Sequence, residues 1–251
     1  MQETDSPRYI QIANQLRNSI QTGHYQTGDR LPAESQLAQQ FQVNRHTLRQ
    51  AVSLLRQEGT LRVERGKGTF VSASPIRYAI GKRVRYNQSL KAQGHSVRFE
   101  ILRSLSLPAD ATIAQNLCVP TNTPTALIER VSFVDDQPLS ISSGYFPLTL
   151  FPTLLEPDSI QHLQTTGSIS QWLRDRHAVD HIRQSTRVSA RLVQPNDATH
   201  LALPLNQPIL LVESVNIDQN GRVIEYGVTR LRGDRMELIF ENTLHEESKS
   251  E

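Results

Sequence analysis

One cysteine, Cys118, in 251 residues leaves this chain without an intramolecular disulfide framework. Aromatic residues are scarce at 6%, and no apolar run reaches the roughly 18 residues that read as a membrane-spanning helix. A GxGxxG turn, a GxxxxGK[ST] phosphate loop and a GxSxG elbow are all missing, so dinucleotide enzymes, nucleotide hydrolases and serine hydrolases lose their usual local signatures. Eight histidines invite a metal hypothesis, with His177-x3-His181 at helical spacing, but no flanking carboxylate or cysteine pattern completes a site. No catalytic residue, metal or cofactor is therefore expected. A secretory signal pattern is also missing, which makes the cytoplasm the expected compartment.

What is present is length enough for about two domains, each with its own core. The net charge of +2 is unevenly distributed. Residues 1–72 carry nine Lys and Arg against six Asp and Glu, residues 73–103 seven against one, and the remainder eleven against eighteen. The basic part is amino-terminal, which suits a nucleic-acid-facing end joined to a domain with a different partner.

Residues 31–70 read as two helices and a basic hairpin. In the second helix Leu48, Ala51, Val52 and Leu55 recur at i, i+3, i+4 and i+7, an apolar stripe that leaves Arg45, His46, Arg49 and Arg56 off the core. Asn44 is placed to cap its first turn and Gly59 to end it. Arg45 and Arg49 then lie in the amino-terminal turns, where arginine can pair with O6 and N7 of guanine in the major groove. Leu37, Ala38 and Phe41 suit a short supporting helix. Leu61 to Glu64 and Thr69 to Val71 read as strands around Arg65-Gly66-Lys67-Gly68, whose cations can meet phosphates or the minor groove. A helix from Pro7 with Tyr9, Ile12, Leu16 and Ile20 at helical spacing packs behind, ending near Gly23. This is the pattern of a winged helix-turn-helix bound to duplex DNA.

Ser-Ala-Ser-Pro at 72–75 and a further glycine mark a linker, with the boundary near Ser74. The expected organisation is a DNA-binding domain at 1–73, a linker at 74–84, an effector domain at 85–245 and a tail at 246–251. Extended segments recur at 98–107, 125–134, 139–146, 182–193, 209–217 and 223–231, with turn chemistry at Asp135-Asp136-Gln137-Pro138 and Gln219-Asn220-Gly221-Arg222. Helical patterns fall at 108–117, 159–163, 169–176 and 196–203. The second domain is expected to be α+β with a mainly antiparallel sheet. Strand alternation puts Arg183, Ser185, Arg187, Ser189 and Arg191 on one face, Arg130 and Ser132 on one face of another strand, and Glu225 in phase with Gly227 and Thr229. Arginine forks and serine hydroxyls of this kind suit a phosphoryl or phosphonyl group, and Glu225 suits an amine, a hydroxyl or a partner arginine.

Tyr9-x2-Ile12, Gly28-Asp29-x-Leu31-Pro32-Ala33-Glu34-x2-Leu37-Ala38, Val43-Asn44-Arg45-x-Thr47-Leu48-Arg49-x-Ala51 and Gly66 to Val71 together resemble the GntR family of bacterial transcription regulators. The resemblance implies operator contacts from Arg45, Thr47, Arg49, Arg65, Gly66 and Lys67. It departs at Ser35, where the family often has arginine, and at Ala33, which replaces a frequent serine and so loses a side-chain cap. Gly94, Pro208-Ile209-Leu210, Gly221-x3-Glu225 and Arg232-Gly233-Asp234-Arg235 resemble the HutC subfamily effector domain, whose fold is similar to chorismate lyase. Asn44 to Arg49, Arg85 to Leu90 and Ser185 to Arg191 are similar to regulators of phosphonate metabolism within that subfamily. The resemblance implies a homodimeric repressor that binds double-stranded operator DNA and a small anionic effector such as a phosphonate or phosphate compound. Arg85, Asn87, Arg130, Ser132, Ser142, Tyr145 and Glu225 are implied around the effector, and strand alternation adds Arg187. Ser132 and Ser142 stand where sugar-phosphate-sensing relatives carry arginine and glutamate. A sugar phosphate or histidine-pathway compound is the alternative effector, and a chorismate-lyase-like enzyme the reading of a different class.

Overall fold

The structure, a computed structural model, describes residues 6–26, 28–64, 66–72, 75–83 and 86–240. Arg65, Arg85, the boundary at Ser74 and the tail at 246–251 lie outside these residues. The chain divides into two compact units, with the break between Ile76 and Arg77. Among the described residues no helix is long and apolar enough to cross a membrane.

The first unit contains α1 (Arg8–Gln21), α2 (Glu34–Gln40), α3 (Arg45–Gln57) and a hairpin of β1 (Leu61–Glu64) and β2 (Gly68–Val71). The stripe on α3 is buried as its spacing predicts: Leu48, Ala51, Val52 and Leu55 close against Ile12 and Leu16 of α1, Leu37 of α2, and Leu61 and Val71 of the hairpin. Burying each Leu or Ile side chain of this set contributes about 1.5–3 kcal/mol, which is why short helices that would fray alone hold together here. Asn44 caps α3 through Oδ1, which accepts from the Thr47 amide at 2.8 Å, and Gly59 follows the helix with φ 75°. At the start of α2 Ala33 has no side chain to cap with, and Gln36 Oε1 instead accepts from the Ala33 amide at 3.0 Å.

The second unit is α+β. It contains β3 (Ile76–Ala79), α4 (Tyr86–Ala92), β4 (Val97–Pro108), α5 (Ala111–Leu117), β5 (Pro124–Val134), β6 (Gln137–Pro147), α6 (Pro157–Thr166), α7 (Ile169–His177), β7 (Ile182–Leu192), α8 (Pro195–Leu201), β8 (Pro208–Ile217), β9 (Val223–Arg232) and β10 (Met236–Ile239). Six strands form an antiparallel sheet in the order β4-β5-β6-β9-β8-β7. Asp135 and Asp136 both take positive φ between the paired Val134 and Gln137, the backbone of a two-residue hairpin turn. β3 falls inside the stretch expected as a linker and pairs with β10. That strand and α4 lack a long periodic signal, because each is too short to show one.

Both faces of the sheet are covered. On one, Ala126, Ile128 and Phe146 pack with Leu163 of α6 and Ile169, Trp172 and Leu173 of α7. On the other, α5 and α8 cover two separate apolar clusters. Between those clusters lies a charged network. Arg230 donates to Glu129 Oε1 at 2.8 Å and to Ser143 Oγ at 2.9 Å, and its Nε lies 3.3 Å from Asp197. Arg103 donates to the second oxygen of Glu129 at 2.8 Å. Burial works against the Glu129 charge, but bonds from Arg103, Ser143 and Arg230 outweigh it and hold the carboxyl at about 2.

Removing one member of such a buried set strands the other. Arg230→Met is expected to lower the unfolding free energy by about 3–5 kcal/mol, read as a fall in urea midpoint at constant slope. Because the folded-state pKa of Glu129 is depressed, its contribution is present above the ordinary carboxylate pKa and is lost as pH falls toward about 2. A urea midpoint that responds equally to that acid range in wild type and in Arg230→Met would refute the assignment.

Candidate DNA-binding surface and effector cavity

In the first unit the amino-terminal turn of α3 is an exposed, basic surface. Arg45 and His46 are exposed, and Thr47 is half-buried with its hydroxyl donating to Asn44 Oδ1 at 3.0 Å. Arg49 is 66% exposed and its Nε donates to Glu34 Oε2 at 2.8 Å. A pair this open contributes at most about 1 kcal/mol, so the guanidinium is pre-aimed without being locked.

The hairpin turns at Gly66 with φ 78°, closed by the Lys67 amide donating to Glu64 O at 3.0 Å, and the Lys67 ammonium is 76% exposed. Gly68 sits at φ 122°, and a Cβ there would lie 2.7 Å from Arg30 Nε. The glycine lets the Arg30 guanidinium lie against the wing. Arg62 lies 5.1 Å over the Phe70 ring. These two cations extend the basic surface. Arg62 was legible from strand alternation, whereas Arg30 is brought in by an isolated bridge to Phe70 that no local pattern announces.

In the second unit the face covered by α6 and α7 holds a cavity of about 260 Å³. Its floor is built by side chains on one face of successive strands: Arg130 of β5 pairs across to Ser142 of β6, Ser142 to Thr229 of β9, and Thr229 to Val212 of β8. Gly144 and Gly227 are cross-strand partners in that floor. A Cβ on Gly144 would meet the Phe146 ring at 2.7 Å and Glu225 Oε1 at 2.8 Å, and one on Gly227 would meet Ser214 Oγ at 2.9 Å. The wall is α4 and the turn from α6 into α7. Gly167, at φ 64°, ends α6, and its carbonyl accepts from Asn87 Nδ2 at 2.7 Å and Arg130 Nη1 at 3.0 Å.

The cavity carries two opposed poles. Burial lowers the pKa of the Arg130 guanidinium, against the supporting charge of Glu225, and its carbon lies 5.2 Å over the Phe99 ring. Arginine remains charged at neutral pH even so. At the other pole Glu225 Oε2 accepts from His181 Nε2 and from Asn216 Nδ2, both at 2.6 Å. Burial raises the Glu225 pKa, but His181, Asn216 and the Arg130 charge outweigh it and hold the carboxyl below its ordinary value. Ser170 Oγ lies 2.7 Å from His181 Nδ1. Lys91, Arg174 and Arg183 also line the space, so cations outnumber carboxylates there among the described residues, with Glu225 the one acid.

The cavity brings together Asn87, Arg130, Ser142 and Glu225 of the sequence-derived set. Ser132 shares their sheet face but is buried beside them, its hydroxyl 2.6 Å from Ser140 Oγ and 3.3 Å from the Tyr86 hydroxyl. Two residues fall elsewhere. Tyr145 is three residues beyond Ser142 on β6 and so faces the opposite side, where it stacks on Tyr226 with ring centroids 5.8 Å apart. Arg187 also faces that side, 3.3 Å from Glu213 and 69% exposed. The expected alternation from Arg183 to Arg191 is broken by a bulge: Arg183 pairs with Asn216 but Ser185 with Val215, so Gln184 is an extra residue. Arg183 therefore lines the cavity and Arg187 does not. His181 is a cavity residue that sequence reasoning treated only as half of a metal pair; α7 ends at His177, so the two histidines do not share a helix.

These features agree with comparison to known proteins. Residues 8–71 match the model for bacterial regulatory proteins of the gntR family, and residues 92–237 match the UTRA domain. The chain is 34% identical to the uncharacterized HTH-type transcriptional regulator RB1450 of Rhizobium meliloti (strain 1021), over 92% of this chain and 93% of that protein. It is also 34% identical to the probable transcriptional regulator PhnF of Escherichia coli (strain K12), over 94% and 95% respectively. The crystal structure of PhnF from Mycobacterium smegmatis superposes with a TM-score of 0.66 at 27% identity, covering 93% of this chain and all of that one. With an exposed basic recognition helix in one unit and a charged cavity in the other, the chain belongs to the GntR family of bacterial transcription regulators, of the HutC type with a UTRA domain, and is a regulator and not an enzyme.

Proposed function

We propose that the chain is a cytoplasmic, homodimeric repressor whose affinity for a pseudo-palindromic operator falls when a small anion bearing a phosphonate or phosphate group occupies the cavity. The observation that carries this reading is the charge of the cavity lining: Lys91, Arg130, Arg174 and Arg183 against the single carboxylate of Glu225. Arg130 is the group with most to offer, since one of its nitrogens is bonded to Gly167 O and the rest of the fork remains for a ligand. Ser142 and the first turn of α7 border the same space and add donors suited to phosphoryl oxygens. Ligand lowers operator affinity only if it binds better to an arrangement unsuited to DNA, so the regulation is a biased two-state equilibrium. Homodimerisation is supported by readout: one short helix contacts few bases, and a two-fold pair doubles them.

Operator contacts are assigned to Arg45, His46, Thr47, Arg49, Gly66 and Lys67. Arg45→Ala and Arg49→Ala are each expected to cost about 1–3 kcal/mol on the best operator, whereas Lys67→Ala weakens all sequences alike and lessens the salt slope by about one phosphate. Fluorescence anisotropy at several salt concentrations measures both. Operator affinity unchanged in the Arg45→Ala, Arg49→Ala double variant would remove α3 from the interface.

For the cavity, a calorimetric screen of alkylphosphonates and phosphate monoesters identifies a ligand. Arg130→Ala is expected to weaken it by about 2–5 kcal/mol, because a desolvated charge-assisted contact is lost. Arg187→Ala, a change on the solvated opposite face, is expected to cost less than about 0.5 kcal/mol. Equal affinity in wild type and folded Arg130→Ala would sink the anion site.

A further inference from the structure

Glu225 is not needed to hold an anion, and burying a carboxylate in an anion site works against it. Its two oxygens are used unequally. Oε2 takes both bonds, from His181 and Asn216, while Oε1 has no hydrogen-bond partner among the described residues and faces the space left by Gly144. The Glu225 side chain keeps 12% of its surface, and it lines the cavity. The paired glycines Gly144 and Gly227 make this access possible, since a Cβ on Gly144 would stand 2.8 Å from Oε1.

The direct bonds to Glu225 all fall on one oxygen: His181 Nε2 and Asn216 Nδ2 both reach Oε2, and His181 Nδ1 lies 2.7 Å from the Ser170 hydroxyl on its far side. Arg130 supports the carboxylate through space without an ion pair, its fork being bonded to Gly167 O. When an anion takes Arg130, that support is cancelled, and a second negative charge enters a low-dielectric space beside the first. Charge balance then calls for a cation at Oε1.

We infer that the effector is a zwitterion, with its phosphonate or phosphate on Arg130 and a protonated amine on Glu225 Oε1, in the niche over Gly144 and Gly227. The inference rests on the cavity being the effector site. An ammonium supplies three donors and a full charge to an oxygen that has neither, whereas a hydroxyl supplies a donor alone. A ligand with an apolar end leaves Oε1 buried without a donor beside a second negative charge, so the pocket selects against it.

The test uses two isosteres on the full chain: 2-aminoethylphosphonate and n-propylphosphonate, which differ by an ammonium in place of a methyl. Calorimetry is expected to show at least about tenfold tighter binding of the amine. Glu225→Gln is expected to reduce that preference to about threefold or less, weakening the amine and tightening propylphosphonate, and Arg130→Ala to weaken both ligands. Phosphoethanolamine, run beside them, separates phosphonate from phosphate-ester ligands. Propylphosphonate binding as tightly as the amine in wild type would overturn the zwitterion and leave the anion site standing. Failure of all three ligands would overturn the anion reading and this inference with it. If Glu225→Gln does not fold, the wild-type comparison still decides.

Discussion

An antiparallel strand sends successive side chains to opposite faces, and the central strands of the second unit keep that alternation in register through the middle of the sheet. The cavity depends on it. Arg130, Ser142, Thr229 and Val212 share a face because they are cross-strand partners, and the same register sends Glu129, Ser143 and Arg230 to the other side. One sheet thus separates two charged systems. The rear one is closed on itself, with Glu129 bonded by Arg103, Ser143 and Arg230. The front one is left incomplete, with acceptor and donor capacity unspent on opposite sides of a cavity. A fully satisfied network rigidifies the fold, and an unfinished one is what a ligand can complete.

Much of the first unit was legible because its signals are local. The α3 stripe, the Asn44 cap and the Gly59 stop all lie within one helix and its flanks, and each forms as its residues predict. The six strands of the large sheet and most of its helices were legible for the same reason. What escaped was non-local or one residue wide. The bulge at Gln184 inverts the face of every later residue on β7, yet nothing in the run Ile182 to Leu192 distinguishes it from a regular strand. Tyr145, three residues from Ser142 on a regular stretch of strand, faces away from the cavity as alternation requires. His181 was legible only as half of a pair at helical spacing that the end of α7 at His177 breaks, and only the return of β9 brings Glu225 to it.

The Arg49–Glu34 pair gives the recognition helix a resting state. Glu34 occupies the guanidinium with a carboxylate in the place where a base edge or phosphate would compete, and the pair is open enough to exchange. Only Nε is engaged, so the pair sets the direction of the side chain while its terminal nitrogens keep their donors.

Gly144 and Gly227 face one another in the floor of the cavity, and each excludes even a methyl group at its present spacing. A side chain at either position would press on the Glu225 end of the cavity and leave the Arg130 end untouched. A single added carbon would remove the space above Glu225 while Arg130 stayed in place. On the proposed reading of the cavity, a descendant with that carbon would keep the anion end and change what fits at the far end, a route to new effectors that is short in mutational distance and silent in net charge.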